Sequence, residues 1–144
     1  MKNNEKILVS ACLLGTPCRW DGRSKKNDKL IAMLDREKIV SVCPEVLAGL
    51  PTPRPACELC ERYNMQLVLD KDGNDFTESF LLGAKKALEV AKSSDVKIAY
   101  LKSGSPSCGA GTVYDGSFTG KKKVGSGIFA KMLAENDIEV VEVD

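Results

Sequence analysis

The chain has 144 residues, of which 43% are hydrophobic and 28% charged, and its formal net charge is +1. This length suits one domain with a single buried core, so we expect one domain over residues 1–144. A net charge so close to zero gives no reason to expect nucleic acid or an acidic membrane as a partner. The absence of histidine excludes Ser-His-Asp and Cys-His catalysis and every zinc site that uses histidine.

The first half of the chain predicts two short buried strands. Residues 6–11 and 39–42 are apolar runs that end at turn-forming residues, as buried strands do. Between them, residues 28–37 have helical spacing of leucine and isoleucine, with Asp28 as the predicted N-cap. Residues 44–55 are rich in proline and glycine, and we expect no regular element there.

The second half alternates strands with longer helices. The predicted strands are residues 65–69, 96–101 and 138–143, and the predicted helices are residues 77–92 and 127–135. Residues 111–127 are rich in glycine, and we expect a loop there with a possible hairpin around Asp115-Gly116. Such alternation is typical of a parallel sheet with helices on its faces. We therefore predict an α/β fold, a single-domain three-layer sandwich with a mostly parallel sheet.

The N-terminus decides the expected compartment. Val9-Ser10-Ala11-Cys12 has the shape of a lipoprotein cleavage box, but the apolar run that leads into it consists only of Ile7, Leu8 and Val9, the last of which is already part of the box. A signal core needs about 7–15 apolar residues, and a membrane span needs about 20. We therefore expect a cytoplasmic protein without a membrane partner. In that compartment, clustered cysteines indicate metal or redox chemistry more than structural disulfides.

Three of the six cysteines follow predicted strands. Cys12 and Cys43 come at the ends of the first two strands, and Cys108 lies a few residues beyond the strand that ends at Leu101. The carboxyl ends of parallel strands meet at one edge of the sheet, where ligands bind. Glycine or proline flanks each thiol, and such loops leave backbone N–H groups free to stabilise thiolates and sulfides. We therefore expect these three thiols to lie close together.

Three thiolates suit a [4Fe–4S] cluster with one open iron, or zinc with a water as its fourth ligand. The alternative is that the cysteines are small buried hydrophobes, and for Cys12 and Cys43, which adjoin core strands, this alternative is strong. Cys108 differs because Ser-Pro-Ser-Cys-Gly is a polar loop with no packing need for a thiol. Taking the three together, we favour the ligand interpretation.

Acid–base candidates lie near these cysteines. Glu45, two residues beyond Cys43, is a candidate general base, and an ordinary surface glutamate is the equal alternative. The hydroxyls of Ser105 and Ser107 can relay a proton or simply form a turn beside Pro106. Arg54, between two prolines, either binds an anion or carbonyl or pairs with an internal carboxylate, and we favour the pairing.

Cys57 and Cys60 form a C-x-x-C pair that raises the possibility of thiol redox or zinc chemistry. A second pair at zinc-ribbon spacing is missing, and the preceding segment is a proline-rich loop. Cys18, near the first cysteine loop, is most simply a packed thiol. We rank a redox function of Cys57 and Cys60 below both metal hypotheses.

Four motifs occur in the order of a known bacterial family. The chain resembles the domain-of-unknown-function family 523, whose characterised members are thiouracil desulfurases, in Val9-Ser10-Ala11-Cys12-Leu13-Leu14-Gly15, Cys43-Pro44-Glu45-Val46, Gly49-Leu50-Pro51-Thr52-Pro53-Arg54 and Ser105-Pro106-Ser107-Cys108-Gly109. Residues 124–128 are similar to the family's late glycine segment. The resemblance covers nearly the whole chain.

The resemblance implies a [4Fe–4S] cluster on Cys12, Cys43 and Cys108, with Glu45 and Ser105 assisting hydrolysis. It implies non-redox desulfuration of thiouracil or a related thiolated nucleobase or nucleoside, so the expected partner is a small thiolated pyrimidine. The alternative is a non-catalytic zinc or iron–sulfur module in sulfur trafficking or regulation. The sequence indicates no oligomeric state.

Overall fold

The structure is a computed structural model that describes residues 5–144. Residues 1–4, which belong to the charged start of the chain and to the expected domain, lie outside the described residues. The strands in the described part are β1 Lys6–Ser10, β2 Ile39–Val42, β3 Cys57–Arg62, β4 Met65–Asp70, β5 Val96–Lys102, β6 Thr112–Tyr114, β7 Lys122–Val124 and β8 Glu139–Val143. The helices there are α1 Asp28–Met33, α2 Pro44–Leu47, α3 Thr77–Ser93 and α4 Ile128–Glu135. None of these helices is long and apolar enough to cross a membrane.

A four-stranded parallel sheet forms the centre of the molecule, in the order β2-β1-β5-β8. Val9 of β1 lies opposite Ser41 of β2 on one side and Tyr100 of β5 on the other. The chain leaves β1 toward β2 and later returns to the other side of β1 as β5. The order of the strands therefore reverses at β1, and ligands of open α/β sheets bind beside such a reversal.

The sheet is covered on both faces. On one face Leu8, Ala99 and Leu101 pack against the alanines of α3 and against Phe129 and Leu133 of α4. On the other face a second buried cluster joins β1 to α1 and to the turn after β1. The side chains of a strand alternate between faces, which is why neighbouring residues of β1 belong to different clusters. The predicted three-layer α/β sandwich with a parallel sheet is confirmed.

The predicted helix over residues 28–37 is too long. Helix α1 ends at Met33, and a separate 3₁₀ turn, Arg36–Lys38, precedes β2. The side chain of Asp35 accepts a hydrogen bond from the Glu37 N–H at 3.1 Å and begins that new turn. The predicted N-cap is also wrong, because the side chain of Asn27, not Asp28, accepts from Leu30 N–H.

The prediction that residues 44–55 contain no regular element is wrong as well. Helix α2 begins at Pro44, a position where a helix needs no N–H donor, so proline favours the start instead of preventing it. Helix α3 lies directly against α2, and a Cβ added at Gly83 of α3 would lie 2.0 Å from the Pro44 carbonyl oxygen. This close contact fixes the backbone that carries Glu45.

Two antiparallel hairpins flank the carboxyl edge of the sheet. The hairpin β6–β7 confirms the hairpin expected around Asp115-Gly116, and residues 115–121 connect its two strands. The hairpin β3–β4 includes a strand, β3, that the sequence did not predict, although β4 was expected. Both hairpins contribute side chains to the space above the sheet.

Candidate functional site

The three cysteines predicted to converge line one cavity at the carboxyl edge of the parallel sheet. Cys12 lies in the 3₁₀ turn Ala11–Leu14 directly after β1, and Cys43 directly follows β2. Cys108 lies in the loop between β5 and β6. The cavity has a volume of about 420 Å³ and is walled by these loops and by the two hairpins. The expected convergence of the three thiols is therefore present in the structure.

The three thiols are close enough to influence one another electrostatically. Burial, and after it the charge of Cys43, raises the pKa of Cys12 to about 11. Burial also raises the pKa of Cys108, and the charges of Cys43 and Cys12 add to this, while a hydrogen bond with Ser10 opposes it. Such thiols form thiolates readily only beside a strong positive charge, and a bound metal supplies that charge.

Cys43 differs from the other two thiols because of a neighbour. A hydrogen bond from the Cys18 thiol lowers the pKa of Cys43 to about 7 and raises that of Cys18. The Sγ atom of Cys43 also lies 3.8 Å from the Cys18 carbonyl oxygen. Cys18 is itself buried in the hydrophobic cluster that joins β1 to α1. It therefore packs in the core and also contacts Cys43, one of the three predicted cluster ligands.

The donor set fits an iron–sulfur cluster. Three thiols from separate loops face one cavity. Backbone N–H groups of Cys12 and Val46 stabilise the thiolates of Cys12 and Cys43, and the Ser10 hydroxyl stabilises that of Cys108, as such donors stabilise cluster ligands. A single zinc ion would need its sulfur ligands about 4 Å apart, given a Zn–S distance of about 2.3 Å. Among residues 5–144, no three Cys, Asp or Glu side chains are arranged to hold one metal ion. In a cluster each thiolate binds a different iron, which permits wider spacing.

Glu45 occupies the first turn of α2 and points into the same cavity. Its Oε1 accepts a hydrogen bond from Arg54 Nε at 2.9 Å, and its Oε2 accepts one from Ser107 Oγ at 2.7 Å. Each carboxylate oxygen has a second lone pair, so Glu45 can still accept a proton from a molecule in the cavity. The structure thus places the predicted base beside the three cysteines and holds it at both oxygens.

Ser105 and Ser107 both line the cavity, and they occupy different positions in one network. Ser107 contacts Glu45 directly and is almost completely buried. Ser105 lies one step farther away, with its Oγ 3.1 Å from Ser107 Oγ. The backbone N–H groups of Ser107 and Cys108 donate to Ser105 Oγ, each at 3.0 Å, and fix it at the start of the cysteine loop.

Arg54 pairs with an internal carboxylate, which is the role that the sequence favoured. Its side chain is only 5% exposed and that of Glu45 is 14% exposed. Besides Glu45, the guanidinium donates to the carbonyl oxygens of Pro51 and Cys18 and to Thr52 Oγ1. Arg54 therefore links α2 to the loop that carries Cys18.

We expect Arg54→Met to destabilise the protein by about 3 kcal/mol, because it leaves a largely buried carboxylate without its cation. Urea unfolding of the variant and its parent measures this difference. The double variant Arg54→Met/Glu45→Gln should recover part of the loss, since the unpaired charge is then removed. Lys26→Met, which removes an exposed pair with Asp28, is the matched control and should cause no measurable change. Equal stability of Arg54→Met and the parent would contradict this account.

The two thiols of the C-x-x-C motif do not lie side by side. Cys57 and Cys60 lie three residues apart on β3, so their side chains point to opposite faces of the strand. Cys57 lines the cavity, and burial raises its pKa to about 12. Cys60 contacts the carbonyl oxygens of Glu58 and Gly116 on the other side. This arrangement does not favour a redox site that uses both thiols.

Several cavity residues were not identified from the sequence. Lys102 ends β5, and its Nζ donates to the carbonyl and the hydroxyl oxygen of Ser103. Trp20 and Tyr114 add aromatic surface to the cavity. The position of Lys102 at the end of a central parallel strand was a usable signal, whereas the aromatic residues come from loops whose path the sequence pattern does not define.

Comparison with known proteins identifies the family. A solved structure of the [4Fe-4S]-dependent thiouracil desulfidase TudS (DUF523Vcz) is similar over 96% of this chain and 90% of that chain, with a TM-score of 0.86 and 41% sequence identity. The uncharacterized protein YbbK of Bacillus subtilis (strain 168) is 38% identical over 141 residues, which are 94% of this chain and 93% of that protein. Residues 7–144 match the 2-thiouracil desulfurase family. The chain belongs to the 2-thiouracil desulfurase family.

Proposed function

We propose that this protein is a [4Fe–4S]-dependent enzyme that removes sulfur from thiouracil or a related thiolated pyrimidine by hydrolysis. The observation that carries the proposal is the single cavity that joins three thiols to a carboxylate and two serines. A module that only stores or carries a cluster has no need for an acid–base network beside its ligands. The family to which the chain belongs and the cofactor of TudS support the same activity.

Cys12, Cys43 and Cys108 are the residues that would hold the cluster. Once bound by three protein ligands, such a cluster supplies an open, thiophilic and Lewis-acidic iron. Backbone N–H groups of Cys12 and Val46 and the hydroxyl of Ser10, which hydrogen-bonds with Cys108, are donors beside these thiols. These residues bind the cofactor and leave the rest of the cavity for the substrate.

Glu45 is the proposed general base. Its carboxylate faces the cavity, and Arg54 holds it in one orientation, so a water bound there can give up a proton as its oxygen attacks the thiocarbonyl carbon. Ser105 is the proposed donor that assists the departing sulfur. The reaction exchanges sulfur for oxygen and transfers no electrons, so it requires no external oxidant or reductant.

The cavity suits a small, flat substrate. Its volume of about 420 Å³ lies within the usual range of about 300–1,000 Å³ for small-molecule sites. Trp20 and Tyr114 line it and offer aromatic surface to a pyrimidine ring. We place the activity in the cytoplasm, because six free thiols and an iron–sulfur cluster both require reducing conditions.

The test is anaerobic reconstitution followed by turnover of thiolated pyrimidines. We expect close to four irons per chain and release of uracil and sulfide from thiouracil in equal amounts. Protein that desulfurates at the full rate without iron would contradict the cluster-dependent mechanism. Protein that holds the cluster but releases no sulfide from any thiolated pyrimidine would instead support the non-catalytic iron–sulfur module.

A further inference from the structure

A continuous chain of hydrogen bonds leads from Ser105 through Ser107 to Glu45. The two serine oxygens lie 3.1 Å apart, and Ser107 Oγ lies 2.7 Å from Glu45 Oε2. Ser107 is the middle member and is only 1% exposed, so bulk water has little access to it. Ser105 is half-buried and lines the cavity. The chain therefore connects the cavity to the carboxylate through a protected serine.

The ionised carboxylate sets the direction of both hydroxyl groups. Glu45 has no proton to offer in that form, so Ser107 must donate to Oε2. A serine has one hydroxyl hydrogen, and Ser107 has used its own, so Ser105 must be the donor between the two serines. With Glu45 ionised, both O–H bonds point toward Glu45 and away from the substrate.

Protonation of Glu45 reverses the chain. The carboxylic acid then donates from Oε2 to Ser107 Oγ, and Ser107 in turn donates to Ser105 Oγ. This frees the Ser105 hydroxyl hydrogen to point into the cavity. Two backbone N–H groups already donate to Ser105 Oγ, which has two lone pairs, so one of these N–H bonds has to open when Ser107 donates to Ser105. The direction of the Ser105 hydroxyl thus depends on whether Glu45 carries a proton.

We propose that Ser107 carries the proton between Glu45 and Ser105, so that the proton which Glu45 takes from water reaches the departing sulfur. This inference rests on the proposed function and adds a third residue to its acid–base machinery. Without Ser107, Glu45 and Ser105 have no hydrogen-bonded connection in the described structure. Ser107 therefore links the two residues and is not an alternative to Ser105.

The steps balance in atoms and charge. Water forms a C–O bond to the thiocarbonyl carbon and gives one proton to Glu45, and the negative charge moves to the sulfur. Glu45 gives its proton to Ser107, Ser107 gives its own to Ser105, and Ser105 gives its own to the sulfur. The C–S bond then breaks, the remaining hydroxyl proton leaves with the sulfur, and the products are a carbonyl compound and hydrogen sulfide. Glu45 and both serines regain their starting forms.

The experiment compares the cluster-loaded parent with Ser107→Ala, Ser105→Ala and the double variant. We expect Ser107→Ala to lower kcat for thiouracil about 100-fold, a typical contribution of one acid–base group, while KM changes little. The double variant should be no slower than the slower single variant, because both substitutions interrupt one chain. Ser107→Thr keeps the hydroxyl and should restore most of the turnover. Ser103→Ala removes a different buried hydroxyl, which donates to Asp144, and is the control with near-parental turnover.

A second measurement does not depend on turnover. Infrared spectra of cluster-loaded protein labelled with ¹³C-glutamate, with Glu45→Gln to identify the band, report the hydrogen bonds of the Glu45 carboxylate. Ser107→Ala should shift this band clearly, and Ser105→Ala should shift it much less, because only Ser107 contacts Oε2. A band that Ser107→Ala leaves in place would overturn the inference even if that variant fails to turn over.

The outcomes separate the inference from the proposed function. Parental turnover in Ser107→Ala, together with large losses in Ser105→Ala and Glu45→Gln, would overturn the relay and leave the proposed function standing. Parental turnover in Glu45→Gln and Ser105→Ala would overturn the proposed residue roles themselves. Additive losses in the double variant would show that the two serines act separately, which also contradicts the relay.

Discussion

Cys108→Ser should abolish both iron retention and thiouracil turnover while the fold persists. Cys108 is one of only three thiols proposed to hold the cluster, and it is buried in a loop that backbone N–H groups fix in place. Removing a group that only orients a metal ligand costs about 10–100-fold in metal affinity, and losing the ligand itself costs more. Iron and sulfide analysis after anaerobic reconstitution, with circular dichroism to check the fold, measures the effect.

The matched control is the double variant Cys57→Ser/Cys60→Ser. It removes two thiols, and serine can replace the weak contacts that they make with carbonyl oxygens. We expect this protein to retain the parental iron content and turnover. If Cys108→Ser bound as much iron as the parent, or the control lost its iron, the assignment of the three ligands would be wrong.

The convergence of the three thiols was predictable because it depends on strands alone. The short apolar runs that became β1, β2 and β5 are local signals, and parallel strands bring their carboxyl ends to one edge of the sheet. Cys12 and Cys43 lie immediately after such strands, so their placement follows from the topology. The family and the fold are confirmed, while the roles of Glu45, Ser105 and the three cysteines remain proposals for experiment.

The network around Glu45 was not predictable in the same way. Ser107 and Glu45 are 62 positions apart in the chain, and their contact depends on how α2 packs against α3. The sequence placed residues 44–55 in an irregular loop, because proline and glycine dominate that segment. The structure instead uses Pro44 to start a helix and Gly83 to let the helices touch. Local propensity cannot indicate such a contact, since it depends on the fit between two distant segments.

The hydrogen-bond partners of the two serines explain why the sequence could not assign separate roles to Ser105 and Ser107. Both serines flank one proline and both are good turn formers, so their local signals are equivalent. Their difference comes from partners outside the loop, since Ser107 contacts a distant carboxylate and Ser105 receives its own loop's N–H groups. The three-dimensional position of Glu45 therefore assigns different chemistry to two similar residues.

Glu45→Gln should lower kcat for thiouracil by about 10²- to 10⁴-fold, the usual contribution of a general base, and leave the cluster intact. Glutamine keeps the shape of the side chain and can still accept a hydrogen bond from Arg54 Nε through its oxygen, but its NH₂ group cannot take a proton from water. Glu58→Gln is the matched control, because Glu58 also lines the cavity and, within residues 5–144, its side chain accepts hydrogen bonds from the backbone N–H groups at 116 and 118 alone. The turnover of this control should stay within about threefold of the parent. Iron content and steady-state kinetics of both variants decide the question. Turnover of Glu45→Gln near the parental rate at full iron loading would show that water is activated without this carboxylate, and the serine chain would then have no proton to carry.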